Sequence, residues 1–256
     1  MVWRWRAWLL VVGLVPVVAG ASLYEPMTAA DLPDGAKRVY ESSSSIIEGR
    51  VVRWETTRHA SITLPQGGRQ VSLRTAGQGT AFWPPPRIEP LVDEPRGLFT
   101  NSSTSKPIDP MLYGPRPLLP ADADLARPDT VWVYEGQRPV PFAFAAIMLA
   151  VQNPDAIPLS GRYHVLNVGT LDTPAGSFAQ AVQVTGIERL EVALTEAAYE
   201  HTLLRTRRWY VPGVGLAKEV IEFPQYPMLG RVTTVLSSYI GLRAAPSPRV
   251  AEAVTP

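Results

Sequence analysis

The chain has 256 residues, of which 46% are hydrophobic and 18% charged, and its formal net charge is +1. That is enough apolar material for one sizeable core, in one large domain or one domain with a long insertion, and too little positive charge to grip a nucleic-acid backbone. The complete lack of cysteine excludes a disulfide framework, a zinc ribbon, a thiol nucleophile and a lipidated cysteine behind a leader.

Residues 1–24, MVWRWRAWLLVVGLVPVVAGASLY, set Trp3, Trp5 and Trp8 around Arg4 and Arg6, ahead of an apolar run that closes with Ala19-Gly20-Ala21 and Tyr24. As a secretory signal this has a basic start, an apolar stretch and a small-x-small site before Ser22. As an anchor, the run from Ala7 to Leu23 is about 17 residues, near the lower limit for crossing a bilayer as a helix. Trp3, Trp5 and Trp8 would then lie at one interface and Tyr24 at the other, and Pro16 is tolerable as a kink. Signal peptides seldom need such an aromatic girdle, which favours the anchor. Either way the positive-inside rule keeps Arg4 and Arg6 in the cytosol. The bulk of the chain is therefore expected in the periplasm, held at a bacterial-type inner membrane.

From residue 25 to 83 the chain reads as the first strands of a β domain. Lys37 to Glu41, Ile46 to Thr56, Ser61 to Leu64, Val71 to Arg74 and Thr80 to Trp83 are rich in Val, Ile, Thr and aromatics and are separated by turn formers. Many of the chain's 26 prolines then crowd into residues 84–128, where neither a helical nor a strand period is visible, and this stretch is predicted as one long loop. A solvated insertion is the plain reading. The sharper one is an extended arm lying on a partner, because Leu98, Phe99, Met111, Leu112, Tyr113, Leu118 and Leu119 are too apolar for a simple linker.

Residues 129–241 return to strands: Thr130 to Tyr134, Arg162 to Val168, Phe178 to Thr185, Arg189 to Leu194, Tyr199 to Val211, Leu216 to Phe223 and Arg231 to Tyr239. Tight turns between consecutive strands imply antiparallel pairing. One segment differs. Residues 142–152, behind Pro141 and ahead of Asn153-Pro154, are alanine-rich, free of glycine and apolar nearly all round, which predicts a helix. It is too short to cross a bilayer and should plug the concave side of the sheet or dip into the interface. Residues 242–256 read as a flexible tail.

Two motifs in this part carry a resemblance. Thr173-Pro174-Ala175-Gly176-Ser177-Phe178, followed by Val182 and Val184, and Arg208-Trp209-Tyr210-Val211-Pro212-Gly213-Val214-Gly215-Leu216-Ala217-Lys218 look like a recurring pair of signatures in bacterial envelope proteins. Those domains are similar to the lipoprotein carrier LolA and its relatives. The resemblance covers about half the chain, residues 130–240. It implies a mainly β fold: a curved antiparallel half-barrel sheet with one covering helix, placed at the segment before Ile157-Pro158-Leu159-Ser160-Gly161. As turn chemistry, Pro174 with Gly176, and Pro212 with Gly213 and Gly215, are what tight turns demand. The Pro-rich arm and the missing lipidated cysteine depart from that family, which argues against a freely diffusing carrier.

No catalytic constellation is legible. There is no G-x-S-x-G, H-E-x-x-H, P-loop or G-x-G-x-x-G between strand and helix. His59, His164 and His201 lie far apart in sequence, Asp122 and Asp124 read as solvated turn residues, and Glu200, Arg205, Arg207 and Arg208 read as one charged face of a strand. The sequence thus points to no enzyme, no cofactor and no metal. It points to an accessory or structural subunit that docks on and braces a larger inner-membrane complex, with the membrane and other subunits as partners. A periplasmic carrier of a lipid, hydrophobic ligand or lipoprotein is the alternative.

Overall fold

A computed structural model describes residues 35–45, 47–63, 69–77, 87–94, 97–100, 116–120, 129–138, 157–195 and 198–242. They form twelve strands: β1 Lys37–Ser44, β2 Ile47–Thr63, β3 Arg69–Gly77, β4 Arg87–Glu94, β5 Gly97–Thr100, β6 Arg116–Pro120, β7 Val131–Arg138, β8 Ile157–Thr173, β9 Gly176–Thr195, β10 Ala198–Val211, β11 Gly215–Glu222 and β12 Arg231–Ile240. All belong to one sheet in the order β6-β5-β4-β3-β2-β1-β12-β11-β10-β9-β8-β7, and each hydrogen-bonded pair is antiparallel. The protein is therefore mainly β, as the strand patterning implies.

The topology is two meanders. One runs outward from β1 to β6, the other inward from β7 to β12, and pairing of β1 with β12 joins them. The two ends of the sheet, β6 and β7, are consecutive in the chain and separated only by residues 121–130. Such a link reaches at most about 40 Å, whereas a flat sheet of this order would set its ends about 53 Å apart at about 4.8 Å per strand. The sheet must curl. Leu119 of β6 is 1% exposed and is buried in a cluster with Tyr163 and Val165 of β8, with Leu118, Trp132 and Tyr134 packed against it, so the end strands meet over a shared core.

Strand alternation divides the sheet into an inward and an outward face. Along β9, Val182, Val184, Glu188 and Leu190 are buried, while Ile187 and Arg189 between them are exposed. The sequence suggested two strands here, broken near Gly186; the structure has one strand of 20 residues. The glycine is a place where a ring approaches, described below.

The prediction of an unbroken loop over residues 84–128 is corrected, since β4, β5 and β6 lie inside it. Prolines hid them. Proline has an extended φ and lacks only a donor, so it is compatible with a strand wherever that donor is not required. Pro90 lies outside the ladder between β4 and β5, which begins at Leu91, and Pro117 and Pro120 are on β6, the last strand of the order. The predicted helix 142–152, the strand Thr80 to Trp83, the tail from 243 onward and the segment 1–24 with Trp3, Trp5, Trp8 and Tyr24 lie outside the described residues. Among the described residues no helix is long and apolar enough to cross a membrane, and the helical element there is the single turn Pro227–Leu229.

Candidate functional site

Polar and charged side chains converge inside the curl. Direct cross-strand pairing runs Val165, Val184, Arg208, Glu219, Thr234 and Ser42 through six neighbouring strands, which puts their side chains on one face. Arg208 is 3% exposed, and its Nε donates to Oε1 of Glu219 at 2.7 Å. Ser42 and Thr234 share a hydrogen bond of 2.7 Å, and Trp54 Nε1 donates to Ser42 Oγ at 2.8 Å. Next to this line Glu188 is wholly buried and accepts from the Tyr163 hydroxyl at 3.0 Å.

The electrostatics follow from burial. Loss of water is the largest influence on Arg208 and acts against its charge. Glu219 first, then Tyr210 and Glu188, together outweigh it, so the guanidinium holds its proton more tightly than an ordinary arginine. Two buried or half-buried carboxylates thus act on the buried cation of Arg208. Nearby, Thr202 Oγ1 and Thr206 Oγ1 are buried without a hydrogen-bond partner in the structure.

A glycine makes this arrangement possible. Tyr163 and Thr206 are both paired directly with Gly186. A Cβ there would stand 2.8 Å from the Tyr163 ring and 2.5 Å from Thr206 Oγ1. The ring is fixed from both sides: its hydroxyl is bonded to Glu188, and its face stacks on Trp132 with centroids 5.3 Å apart. Gly186→Ala should therefore cost about 1–3 kcal/mol of stability through overpacking. A shift in the denaturant midpoint checks it, and an unchanged midpoint would mean that the ring can move aside.

The two sequence motifs meet in space. Pro174 and Ala175 form the tip of the β8–β9 hairpin, closed by the pair Thr173 and Gly176. Its Ala175 N–H donates to the Leu236 carbonyl of β12 at 3.2 Å, so the hairpin bends past the end of β10–β11. Register shifts at Asn167–Gly169 and Gly169–Leu171 supply the bend, as bulges do. Phe178 is buried in one cluster with Trp209, Val211, Val214, Ala217 and Leu236, and its ring also meets Tyr239. Under the tip lies the turn Pro212-Gly213-Val214 between β10 and β11. Gly213 and Gly215 have φ of 72° and 87°, values that side chains other than glycine rarely adopt. Val214 is fully buried although it sits in a turn. Tyr210, from the same motif, belongs to the other cluster with Val182 and Val184.

The remaining predicted residues are placed as follows. Leu119 is buried and Leu118 packs against the same core. Leu98 and Phe99 are on β5, paired with Asp93 and Val92, while Met111, Leu112 and Tyr113 lie outside the described residues. The reading of Glu200, Arg205, Arg207 and Arg208 as one face is corrected. Alternation puts Arg205 and Arg207 outward, where Glu222 Oε1 lies 3.3 Å and 4.0 Å from them, and Arg208 inward on Glu219. His164 Nε2 lies 3.1 Å from Asp129 Oδ1 at an exposed position, and His201 is exposed. Among the described residues no group of three His, Cys, Asp or Glu could hold a metal ion. Sequence reasoning missed Glu188, Glu219 and Tyr163; the signal available was Gly186, a glycine inside an otherwise continuous strand pattern, which marks close approach by another group.

No family model and no curated relative matches the chain. Among solved structures it is similar to a protein of Bacteroides fragilis described as exported, with a YmcC-like fold, at 12% identity and a TM-score of 0.45 over 86% of this chain and 100% of that one. It is also similar to a protein of Parabacteroides distasonis described as a lipoprotein, at 15% identity and the same score and coverage. Likeness at this level assigns no residue a role, so the functional reading rests on the chain itself.

Proposed function

We propose that the chain is a non-enzymatic subunit of the bacterial envelope, held at the periplasmic face of the inner membrane by its N-terminal segment, that docks on and braces a larger membrane assembly. The observation that supports this most is where the apolar and polar groups go. A carrier of a lipid or lipoprotein needs an open apolar trough. Here the described inward positions of β8, β9 and β10 are buried, and the charged groups among them, Arg208 with Glu219 of β11 and Glu188 with Tyr163, are bonded within the protein rather than presented to a substrate. The exposed large apolar side chains Val131 and Val133 of β7, Leu166 of β8 and Ile187 of β9 point outward. Apolar surface on the outside suits a chain that attaches to the membrane and its assemblies better than a carrier or a catalyst.

Mild detergent extraction from native membranes, followed by size-exclusion chromatography, tests the reading. A stoichiometric complex with other membrane proteins is the expected result. A monodisperse monomer would count against bracing, and a natural chain beginning at Ser22 would remove the tether. Stoichiometric lipid in native mass spectra of the released protein would instead favour the carrier.

A further inference from the structure

The outward face of β7–β10 combines two things that rarely share a sheet surface. Direct pairing aligns Val133, Arg162, Ile187 and Arg205 in one row across the four strands. Val133 is 75% and Ile187 51% exposed, and Arg162 and Arg205 are exposed as well. Val131 and Leu166 extend the apolar part on either side of His164, while Arg189 and Arg207 extend the basic part on β9 and β10. Among the described residues the acidic groups on or beside this face are Asp129, whose carboxylate lies 3.1 Å from His164, Glu135, Glu191 and Glu222 of β11, of which Glu222 approaches Arg205 and Arg207. Across β7–β12 the outward basic residues also include Lys218 and Arg231, paired on this face with Trp209 and Glu222. The face therefore carries more positive than negative charge, in a chain whose formal net charge is only +1.

We propose that this face seats on the surface of an anionic phospholipid bilayer, with the valines, Leu166 and Ile187 at the boundary of headgroups and acyl chains and the arginines on phosphate. The spacing favours lipid over a protein. Arg162 is flanked on both sides by exposed aliphatic side chains at the strand separation of about 4.8 Å. A protein partner would have to bury that cation within an apolar contact and supply a fixed counter-charge, which is costly unless the geometry is excellent. A headgroup layer offers phosphate and hydrocarbon side by side at every position, and the arginine stem can lie along the apolar surface while its head stays with phosphate. The proposal draws on the membrane-facing reading above only in placing a bilayer within reach.

The test exploits the absence of cysteine, which makes any introduced thiol unique. The full chain carrying Val133→Cys or Ile187→Cys, or Val51→Cys on β2 as a control, is spin-labelled and reconstituted in phosphatidylcholine vesicles with or without phosphatidylglycerol. Labels at 133 and 187 should lose access to a water-soluble nickel chelate and gain access to oxygen when phosphatidylglycerol is present, while the label at 51 is unchanged. High salt should reverse the effect, and Arg162→Glu with Arg205→Glu should abolish it, since each basic residue near such a surface changes partitioning by about fivefold. All of these positions are exposed, where substitutions leave folding nearly intact. Equal accessibility in both vesicle types would overturn the proposal. So would protection that appears only in native membranes containing other proteins, which would identify a protein occupant. Failure of the tether is read separately, from the natural N-terminus.

Discussion

Replacing Arg208 by methionine is expected to cost about 3–5 kcal/mol of stability, the loss typical when one member of a buried ion pair is removed. Methionine keeps most of the side-chain volume, so the loss reports charge rather than a cavity. The variant leaves Glu219 without the cation bonded to it at 2.7 Å and removes a charge that interacts with wholly buried Glu188. Urea unfolding with the slope held fixed gives the value. A second variant separates the causes: adding Glu219→Gln to Arg208→Met should recover part of the loss. A loss below about 1 kcal/mol, the range of exposed pairs, would show that water reaches the cluster and that the interior is less closed than its burial indicates.

Phe178→Ala should destabilise the protein by a similar amount, about 3–5 kcal/mol, through a cavity that the surrounding side chains fill only in part. Its effect should be local as well as global. Phe178 holds the tip of the β8–β9 hairpin over Trp209, Val214 and Leu236, and the tip has one backbone hydrogen bond to β12, from Ala175 to Leu236. Amide exchange at Ala175 and Val214 should therefore speed up far more than at Val184 in the middle of β9. Uniform acceleration over both regions would mean that tip and sheet open as one unit and that the corner has no separate role.

These two sites show how differently the fold and its interior were written in the sequence. The strands of the second half were visible because Val, Ile, Thr and aromatic residues alternate there with polar ones, and the hairpin tips were visible because Pro174, Gly176, Pro212 and Gly213 have few other uses. The strands β4 to β6 were hidden because proline is a strong local signal against pairing, although at the outer strands of a sheet its missing donor matters little. The charged residues of β10 were misread because Glu200, Arg205, Arg207 and Arg208 are close in sequence. A period of two sends Arg208 to the opposite side from Arg205 and Arg207, and the partner waiting there, Glu219, is eleven residues away on the next strand.

By itself the sequence determined a mainly β chain with glycine and proline at its turns, one core, and an apolar aromatic-flanked beginning, because these depend on local propensity and composition. Tertiary structure alone decided that β12 joins β1, that the sheet curls until β6 and β7 share a core, and that the two turn motifs bury each other. It also decided that on β10 Arg208 is spent inside while Arg205 and Arg207 remain outside. The reason is physical: pairing partners and burial depend on contacts between residues up to about two hundred positions apart, as between Val39 and Ser237, and no local pattern encodes which strand will arrive on the other side.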